Sequence, residues 1–169
     1  MGQMSTYLFA RNDRPGFAEE ALEALSQAGV IVIEPEPIAA YYGRGDADWV
    51  DGAFEYLGAH RSPLPFIIPQ DPAIEPSCPA CGGEVDEAFY DTINEIEDEG
   101  QEVDWSKVKV TCPHCHRASP ITALKDAVGV FCAREYLYLS DVNVEDLPAF
   151  EAELRKILPG AEIKSYGYT

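Results

Sequence analysis

Two short cysteine motifs contain the side chains of this chain that are best suited to bind a metal. Cys78-Pro79-Ala80-Cys81 and Cys112-Pro113-His114-Cys115 each hold a pair of thiols with two residues between them, and thirty residues separate the motifs. A turn of this kind aims both sulfur atoms at one point. Two such turns brought together form a tetrahedral cage of four sulfurs, the geometry that structural zinc prefers. The sequence therefore predicts a metal site formed by Cys78, Cys81, Cys112 and Cys115.

The first motif and the glycine after it, Cys78 to Gly82, resemble the knuckles of zinc-ribbon and rubredoxin-like proteins, which read Cys-Pro-x-Cys-Gly. The second motif differs from the family pattern because His116 follows Cys115 in place of glycine. The resemblance covers about residues 76–120 and implies a metal held by four cysteines, with Zn²⁺ favoured and iron as the alternative. It implies no activity, because ribbons occur in enzymes, transcription proteins and binding modules.

Three further side chains near these motifs could take part in chemistry. His114 and His116 could replace a cysteine as ligands, but four sulfurs already complete a tetrahedral site, so both are interpreted as exposed knuckle residues. Cys132 lies in an apolar stretch and is interpreted as a small buried side chain, since nothing in the sequence places a base beside it. A completed four-thiolate site leaves no open position for water, which favours a structural role for the metal.

The charge of the chain restricts its partners. Thirty acidic against twelve basic side chains give a formal net charge of −18. A protein that binds DNA or RNA needs Lys and Arg to displace counterions from phosphates, so this charge argues against nucleic acid as a partner. The charge serves solubility, attracts a basic protein or mimics a nucleic acid.

The acidic residues concentrate between the two cysteine motifs. Residues 84–104 contain ten acidic side chains and no basic one. Phe89, Ile93 and Ile96 keep a helical spacing within this stretch, which predicts an amphipathic helix with an acidic outer face. The residues predicted to contact a basic partner are Glu95, Glu97, Asp98 and Glu99.

Both ends of the chain have the pattern of a strand, a helix and a second strand. At the N-terminus, strand 6–10 precedes a helix that Asn12 or Asp13 can cap, followed by strand 30–33. At the C-terminus, strand 135–139 precedes a helix that Asp146 can cap, and strand 161–166 closes the chain. Two such units predict an α+β fold, specifically a ferredoxin-like sandwich of four antiparallel strands with two helices on one face.

The middle of the chain predicts a different organisation. A helix starting at Asp48 would place Trp49, Ala53, Tyr56 and Leu57 on one side. Six of the thirteen prolines then fall between Pro63 and Pro79, which predicts an extended connector into the first knuckle, interrupted at most by Phe66-Ile67-Ile68. The ribbon is therefore predicted to be an insertion of residues 63–127 into an α+β domain of residues 1–62 and 128–169. The metal would order an insertion that has no core of its own.

The favoured function is a non-catalytic, zinc-stabilised module whose acidic surface binds a basic protein, for example an antidote to a basic toxin or an accessory factor. No local catalytic motif is present, which favours a protein that is not an enzyme. The alternative is an enzyme or small-molecule sensor with a pocket on the sheet near Tyr41, Tyr42, Arg44 and His60. A ribbon that binds nucleic acid is a third hypothesis, and it would need a basic face.

Two observations bear on the location of the protein. No apolar run approaches the roughly 20 residues that a membrane span requires. The N-terminus has neither the basic start nor the long apolar run of a secretory signal. We therefore expect a cytoplasmic protein without a membrane segment, in which the thiols stay reduced.

Overall fold

The computed structural model describes residues 3–33, 41–50, 52–68, 75–100, 102–125, 131–143 and 145–168. The chain divides into two compact units. The first unit comprises Met1–Ser62 and Arg134–Thr169, and the second comprises Pro63–Ala133. The protein is a mixed α and β structure. Its helices are α1 (Phe17–Gln27), α2 (Asp86–Glu99) and α3 (Leu147–Ile157).

In the described part of the chain, one sheet has six strands in the order β2-β3-β4-β7-β1-β8. Strand β1 is antiparallel to both of its neighbours, β7 and β8, and β3 is antiparallel to β2 and β4. The bounds of these strands are β1 Gln3–Ala10, β2 Ile31–Val32, β3 Tyr41–Arg44, β4 Leu57–Ile68, β7 Phe131–Asn143 and β8 Ala161–Tyr168. The second unit also has a hairpin of β5 (Lys109–Thr111) and β6 (Ala118–Pro120).

The core of the first unit forms between one face of this sheet and the helices α1 and α3. Helix α1 buries Phe17, Leu22 and Leu25, and Gly29 follows it with a φ of 76°, in the left-handed region. Each fully buried Leu or Phe side chain contributes about 1.5–3 kcal/mol to folding. The largest fully buried side chains of this core are Leu8, Leu25, Phe54, Leu57, Leu137, Leu139 and Leu154.

The strand order does not confirm the specific ferredoxin-like topology. In a ferredoxin-like sheet, the strand after α1 would lie beside β7. Here β4 is the neighbour of β7, and β2 lies at the edge of the sheet beside β3. The expected strand 30–33 is shortened to Ile31–Val32, and Val32 and Ile33 are exposed, so this segment is not the fully buried strand that its sequence suggested.

The prediction of a helix that starts at Asp48 is wrong. The structure has a single 3-10 turn at Asp48–Val50, and Leu57 begins strand β4 instead of ending a helix. Gly52 has a φ of 74°, which interrupts a helix, and Gly58 allows close packing in the sheet. A Cβ atom at Gly58 would lie 2.5 Å from the ring of Tyr138. The segment predicted as a connector from Pro63 is strand β4 up to Ile68, which is more than the three residues 66–68 that the prediction allowed, and residues 69–74 of the connector lie outside the described residues.

The second unit has its own apolar cluster, contrary to the expectation that the insertion lacks a core. Helix α2 contributes Phe89 and Ile93, and the buried Trp105 lies in a 3-10 turn between α2 and β5. The remaining buried members are Cys78, Val85, Val110, Cys112, Ile121 and Leu124. Sequence reasoning missed this core because its members are spread over several short elements. No helix of the described chain has the length and apolar character to cross a membrane.

Candidate metal centre

The structure brings the four predicted cysteines together. Their sulfur atoms all lie within 4.8 Å of one another. The distance from Cys78 Sγ to Cys115 Sγ is 3.7 Å, and that from Cys81 Sγ to Cys112 Sγ is 3.6 Å. Four sulfurs placed tetrahedrally at about 2.3 Å from one ion would be about 3.8 Å apart. The cluster therefore has the size of a four-thiolate metal site, and each of its two short distances joins one knuckle to the other.

The two knuckles repeat the same pattern of backbone hydrogen bonds. The N–H of Gly82 donates to the carbonyl of Cys78 at 2.9 Å, and that of His116 donates to the carbonyl of Cys112 at 2.9 Å. The N–H of Cys78 donates to Gly83 and that of Cys112 donates to Arg117, again with equal spacing along the chain. Two distant segments therefore form the same turn, as a pair of metal knuckles requires.

Backbone N–H groups also point at the sulfur atoms. Ala80 N–H donates to Cys78 Sγ, His114 N–H donates to Cys112 Sγ, and Gly83 N–H donates to Cys81 Sγ, each at 3.4 Å. Hydrogen bonds of this kind favour the thiolate over the thiol. The sulfurs are thus prepared for the ionised form that binds a metal.

Cys78, Cys81 and Cys112 differ in acidity because backbone N–H groups, burial and the neighbouring sulfurs act on them unequally. Backbone N–H groups of Cys81 and Ala80 lower the pKa of Cys78 to about 6, and that of Cys115 lowers the pKa of Cys112. At Cys81 the N–H of Gly83 lowers the pKa, but desolvation and the three neighbouring thiols outweigh it and raise the pKa to about 11. Adjacent thiolates repel one another, so a cation at their centre is needed to keep all four ionised. The donor set therefore fits a divalent metal ion.

Short β structure positions each knuckle. The second knuckle is the turn of the β5–β6 hairpin, because Thr111 ends β5 and Ala118 begins β6. The first knuckle lies between Ser77 and Glu84, which form an isolated antiparallel bridge. Ser77 also exchanges two hydrogen bonds with Lys125, at 2.8 and 3.0 Å. Each pair of cysteines is therefore held at the end of a small hairpin.

The residue after each knuckle takes a left-handed conformation. Gly82 has a φ of 75°, which costs glycine nothing, whereas His116 has a φ of 61° and carries a side chain in that region. His116 thus takes the place of the glycine in the Cys-Pro-x-Cys-Gly pattern without a change in the turn. In the first knuckle, Gly83 follows Gly82 and leaves space for the side chain of His114. A Cβ atom at Gly83 would lie 2.5 Å from His114 Cδ2 and 3.3 Å from Cys81 Sγ.

The carboxylates predicted to contact a partner lie on α2. Glu95, Glu97, Asp98 and Glu99 are all exposed, while Phe89 and Ile93 are buried on the other side of the helix. The predicted amphipathic helix is confirmed. Sequence reasoning missed two further exposed carboxylates, Glu87 and Asp91. They continue the line of Glu95 and Glu99 at intervals of four residues, a spacing that the sequence alone could have revealed.

The residues of the alternative pocket do not line one cavity in the described structure. Arg44 borders an open cavity of about 590 Å³ with Asp46 and Asp48. His60 instead stacks on Tyr136, with ring centroids 4.7 Å apart, and burial lowers the pKa of His60. Tyr42 packs against the core of the first unit, and the side chain of Tyr41 lies outside the described residues. Neither Tyr42 nor His60 is among the described residues that border the Arg44 cavity.

Cys132 lies outside the sulfur cluster. It is half-buried and packs against the apolar cluster of the second unit, as its apolar neighbours in the sequence predict.

Comparisons with protein-family models, with curated proteins and with solved structures found no match to this chain. Its function must therefore be argued from the geometry of its own residues.

Proposed function

We propose that the second unit is a metal-stabilised platform whose acidic helix binds a basic protein. Its four cysteines would hold a structural Zn²⁺, in keeping with the resemblance of the knuckles to zinc ribbons. The support for this part is the four-sulfur cluster with its repeated hydrogen bonds. Four thiolates fill a tetrahedral site, so the metal would position the chain and would not activate water. The proposal needs a reducing compartment, such as the cytoplasm, because thiols this close together would otherwise be oxidised.

The observation that carries the binding part is the uncompensated charge of α2. Glu87, Asp91, Glu95 and Glu99 form a ridge along the helix, with three residues between successive positions. Within the described chain, none of the carboxylates of α2 forms an ion pair. The ion pairs that Glu and Asp form in the described residues lie elsewhere, for example between Arg155 and Glu151.

This ridge weakens the helix that carries it. Like charges at a spacing of four residues destabilise a helix by about 0.2–0.5 kcal/mol per pair. The last turn of α2 has no basic residue, so Glu97, Asp98 and Glu99 also oppose the partial negative charge of the helix C-terminus. Lys or Arg side chains of a bound protein would remove both costs, which is why a basic partner fits this surface.

The test of the binding function compares two double variants with equal change in charge. Glu95→Lys with Glu99→Lys reverses two charges on the α2 ridge. Glu19→Lys with Glu23→Lys reverses two exposed charges at the same spacing on α1, in the other unit. Wild type and both variants are used to capture proteins from a lysate over salt concentrations of about 0.05 M to about 0.5 M. Captured proteins are identified by mass spectrometry and purified for titration.

We expect wild type and the α1 variant to capture the same basic protein at low salt and to release it as salt rises. The α2 variant should lose at least about 90% of this capture, because charge pairs at an interface supply much of the association rate. Equal loss in both variants would mean that only the total charge matters. Capture that is indifferent to salt, or no capture at all, would contradict the proposed partner.

The metal is tested separately. Native mass spectrometry of the purified protein should show one bound ion, and X-ray fluorescence should identify it as zinc or iron. Removal of the ion with a chelator should expose the buried Trp105 and shift its fluorescence to longer wavelength, while amide exchange in α1 and α3 stays slow. A reduced, metal-free sample that is folded throughout the second unit would contradict the structural role.

A further inference from the structure

A cavity of about 480 Å³ lies in the first unit, between helix α3 and the 3-10 turn at Asp48–Val50. Its volume falls in the range of small-ligand sites. The side chains that matter for its chemistry are Trp49, Ala53, Asp146, Ala149, Phe150 and Glu153.

The sequence of α3 creates this cavity. Asp146, Ala149, Phe150 and Glu153 are spaced by three, four and seven residues from the first, so they share one face of the helix. The alanine is too short to fill the space beside the helix. Phe150 is buried and forms the floor, and the half-buried ring of Trp49 lies beside it with centroids 5.7 Å apart. The cavity is therefore an aromatic trough with a carboxylate at each end.

The two carboxylates are not equivalent. Glu153 pairs with Lys156 at 2.6 Å, so its charge is already compensated. Asp146 accepts a hydrogen bond from the amide of Asn143 at 3.1 Å, and the described chain offers it no ion pair. The helix dipole places roughly half a positive charge at the start of α3, which compensates only part of the full negative charge of Asp146. No basic residue is among the described residues that line the trough.

We propose that this trough binds an organic cation, with the cationic group near Asp146 and the apolar part over Phe150 and Trp49. The carboxylate supplies the opposite charge and the indole supplies a cation–π contact. The trough suits a substituted ammonium or a guanidinium group that carries methyl or methylene groups. Such a group can belong to a free amine or to a Lys or Arg side chain. The inference concerns the first unit and does not depend on the metal centre or on the α2 surface.

The experiment uses the full chain labelled with ¹⁵N. Its spectrum contains two indole signals, from Trp49 and Trp105, and a Trp49→Phe variant assigns them. The protein is titrated with choline, with its neutral analogue 3,3-dimethyl-1-butanol, and with the N-acetyl amides of lysine and arginine. Inorganic phosphate serves as an anion control, because the start of a helix can also bind anions.

Three variants complete the design. Asp146→Asn removes the charge and keeps a residue that is favoured at a helix start. Ala149→Leu fills the trough with a good helix former. Glu145→Gln is the matched control, because it removes an exposed carboxylate one residue away that does not line the trough.

We expect a cation to shift the Trp49 signal and leave that of Trp105 in place. Binding should weaken about tenfold or more in Asp146→Asn and in Ala149→Leu, and should be unchanged in Glu145→Gln. Binding of choline but not of the amino acid amides would identify a free amine as the ligand. Binding of the amides but not of choline would identify a protein side chain as the ligand. The proposal would be overturned if the neutral analogue bound as well as choline, or if only phosphate bound. It would also be overturned if Asp146→Asn and Glu145→Gln had equal effects, or if no cation shifted the Trp49 signal.

Discussion

Single residues around the knuckles control how closely the sulfurs can approach. Gly83 allows His114 to lie over the backbone beside Cys81, and a methyl group at this position would collide with the ring. We expect Gly83→Ala to weaken metal affinity by a few-fold and by less than about tenfold, since overpacking costs about 1–3 kcal/mol in a core and the exposed His114 ring can move aside for less. The affinity is measured by competition with a coloured chelator. Adding His114→Ala should restore it, because the obstructing ring is then gone. A double variant as weak as Gly83→Ala would show that the collision is not the cause.

His116 is the residue at which the second knuckle departs from the family pattern. Its left-handed φ of 61° costs a residue with a side chain about 1–2 kcal/mol, and glycine avoids this cost. We expect His116→Gly to bind one equivalent of metal with unchanged or higher affinity. The metal content is measured by native mass spectrometry, with Cys115→Ser as the control that should lose metal. If His116→Gly also loses the metal, the histidine is a ligand.

The sequence predicts the residues of this site well because the information is local. A pair of cysteines with two residues between them already defines a turn, and Gly82 takes the conformation expected after it. The contact between Gly83 and His114 joins two segments that are distant in the sequence, so no local pattern contains it. Residue types therefore indicate which cysteines come together, and only the fold shows what packs against them.

Among the elements, α1 illustrates where local prediction fails. Asn12 and Asp13 were expected to cap this helix, but Asp13 instead accepts hydrogen bonds from the backbone N–H and the guanidinium of Arg134. The cap is Glu135 on β7, which accepts from the N–H groups of Gly16 and Ala18. This partner is more than a hundred residues away. The apolar spacing predicts the helix, whereas its first hydrogen bonds depend on the tertiary fold.

This distant cap leads to a prediction about stability. Glu135→Ala should lower the free energy of unfolding by about 1 kcal/mol, because it leaves N–H groups at the start of α1 without their acceptor. Glu135 also forms an ion pair with Arg61, in which Oε1 of Glu135 lies 3.8 Å from Nε of Arg61 and the arginine side chain is mostly exposed. Arg61→Met therefore serves as the control and should cost less than about 0.5 kcal/mol. Urea unfolding measures both variants, and equal losses would assign the effect to the ion pair.

Helix α2 combines a stabilising inner face with an outer face that weakens it. Glu95→Lys with Glu99→Lys should therefore raise the free energy of unfolding of the second unit by about 0.5–1 kcal/mol. The change turns the repulsion between Asp91 and residue 95 into an attraction and complements the helix C-terminus, while residues 95 and 99 remain a like-charged pair. Amide exchange in α2 measures the change. The α1 pair, Glu19→Lys with Glu23→Lys, should instead lose stability, because Glu19 lies in the first turn of α1. A loss in both variants would mean that the α2 ridge is not strained.

On the scale of the whole molecule, the net charge of −18 makes self-repulsion the dominant electrostatic term. Salt from about 0.02 M to about 0.2 M shortens the screening length from roughly 20 to roughly 7 Å. The midpoint of urea unfolding should rise over this range, because repulsion among carboxylates weakens. The affinity for the proposed basic partner should fall over the same range, because attraction between the proteins weakens too. A rise in stability together with a fall in affinity as salt increases would distinguish the effect of charge on folding from its effect on binding. Stability that falls with salt would show that exposed ion pairs outweigh the repulsion.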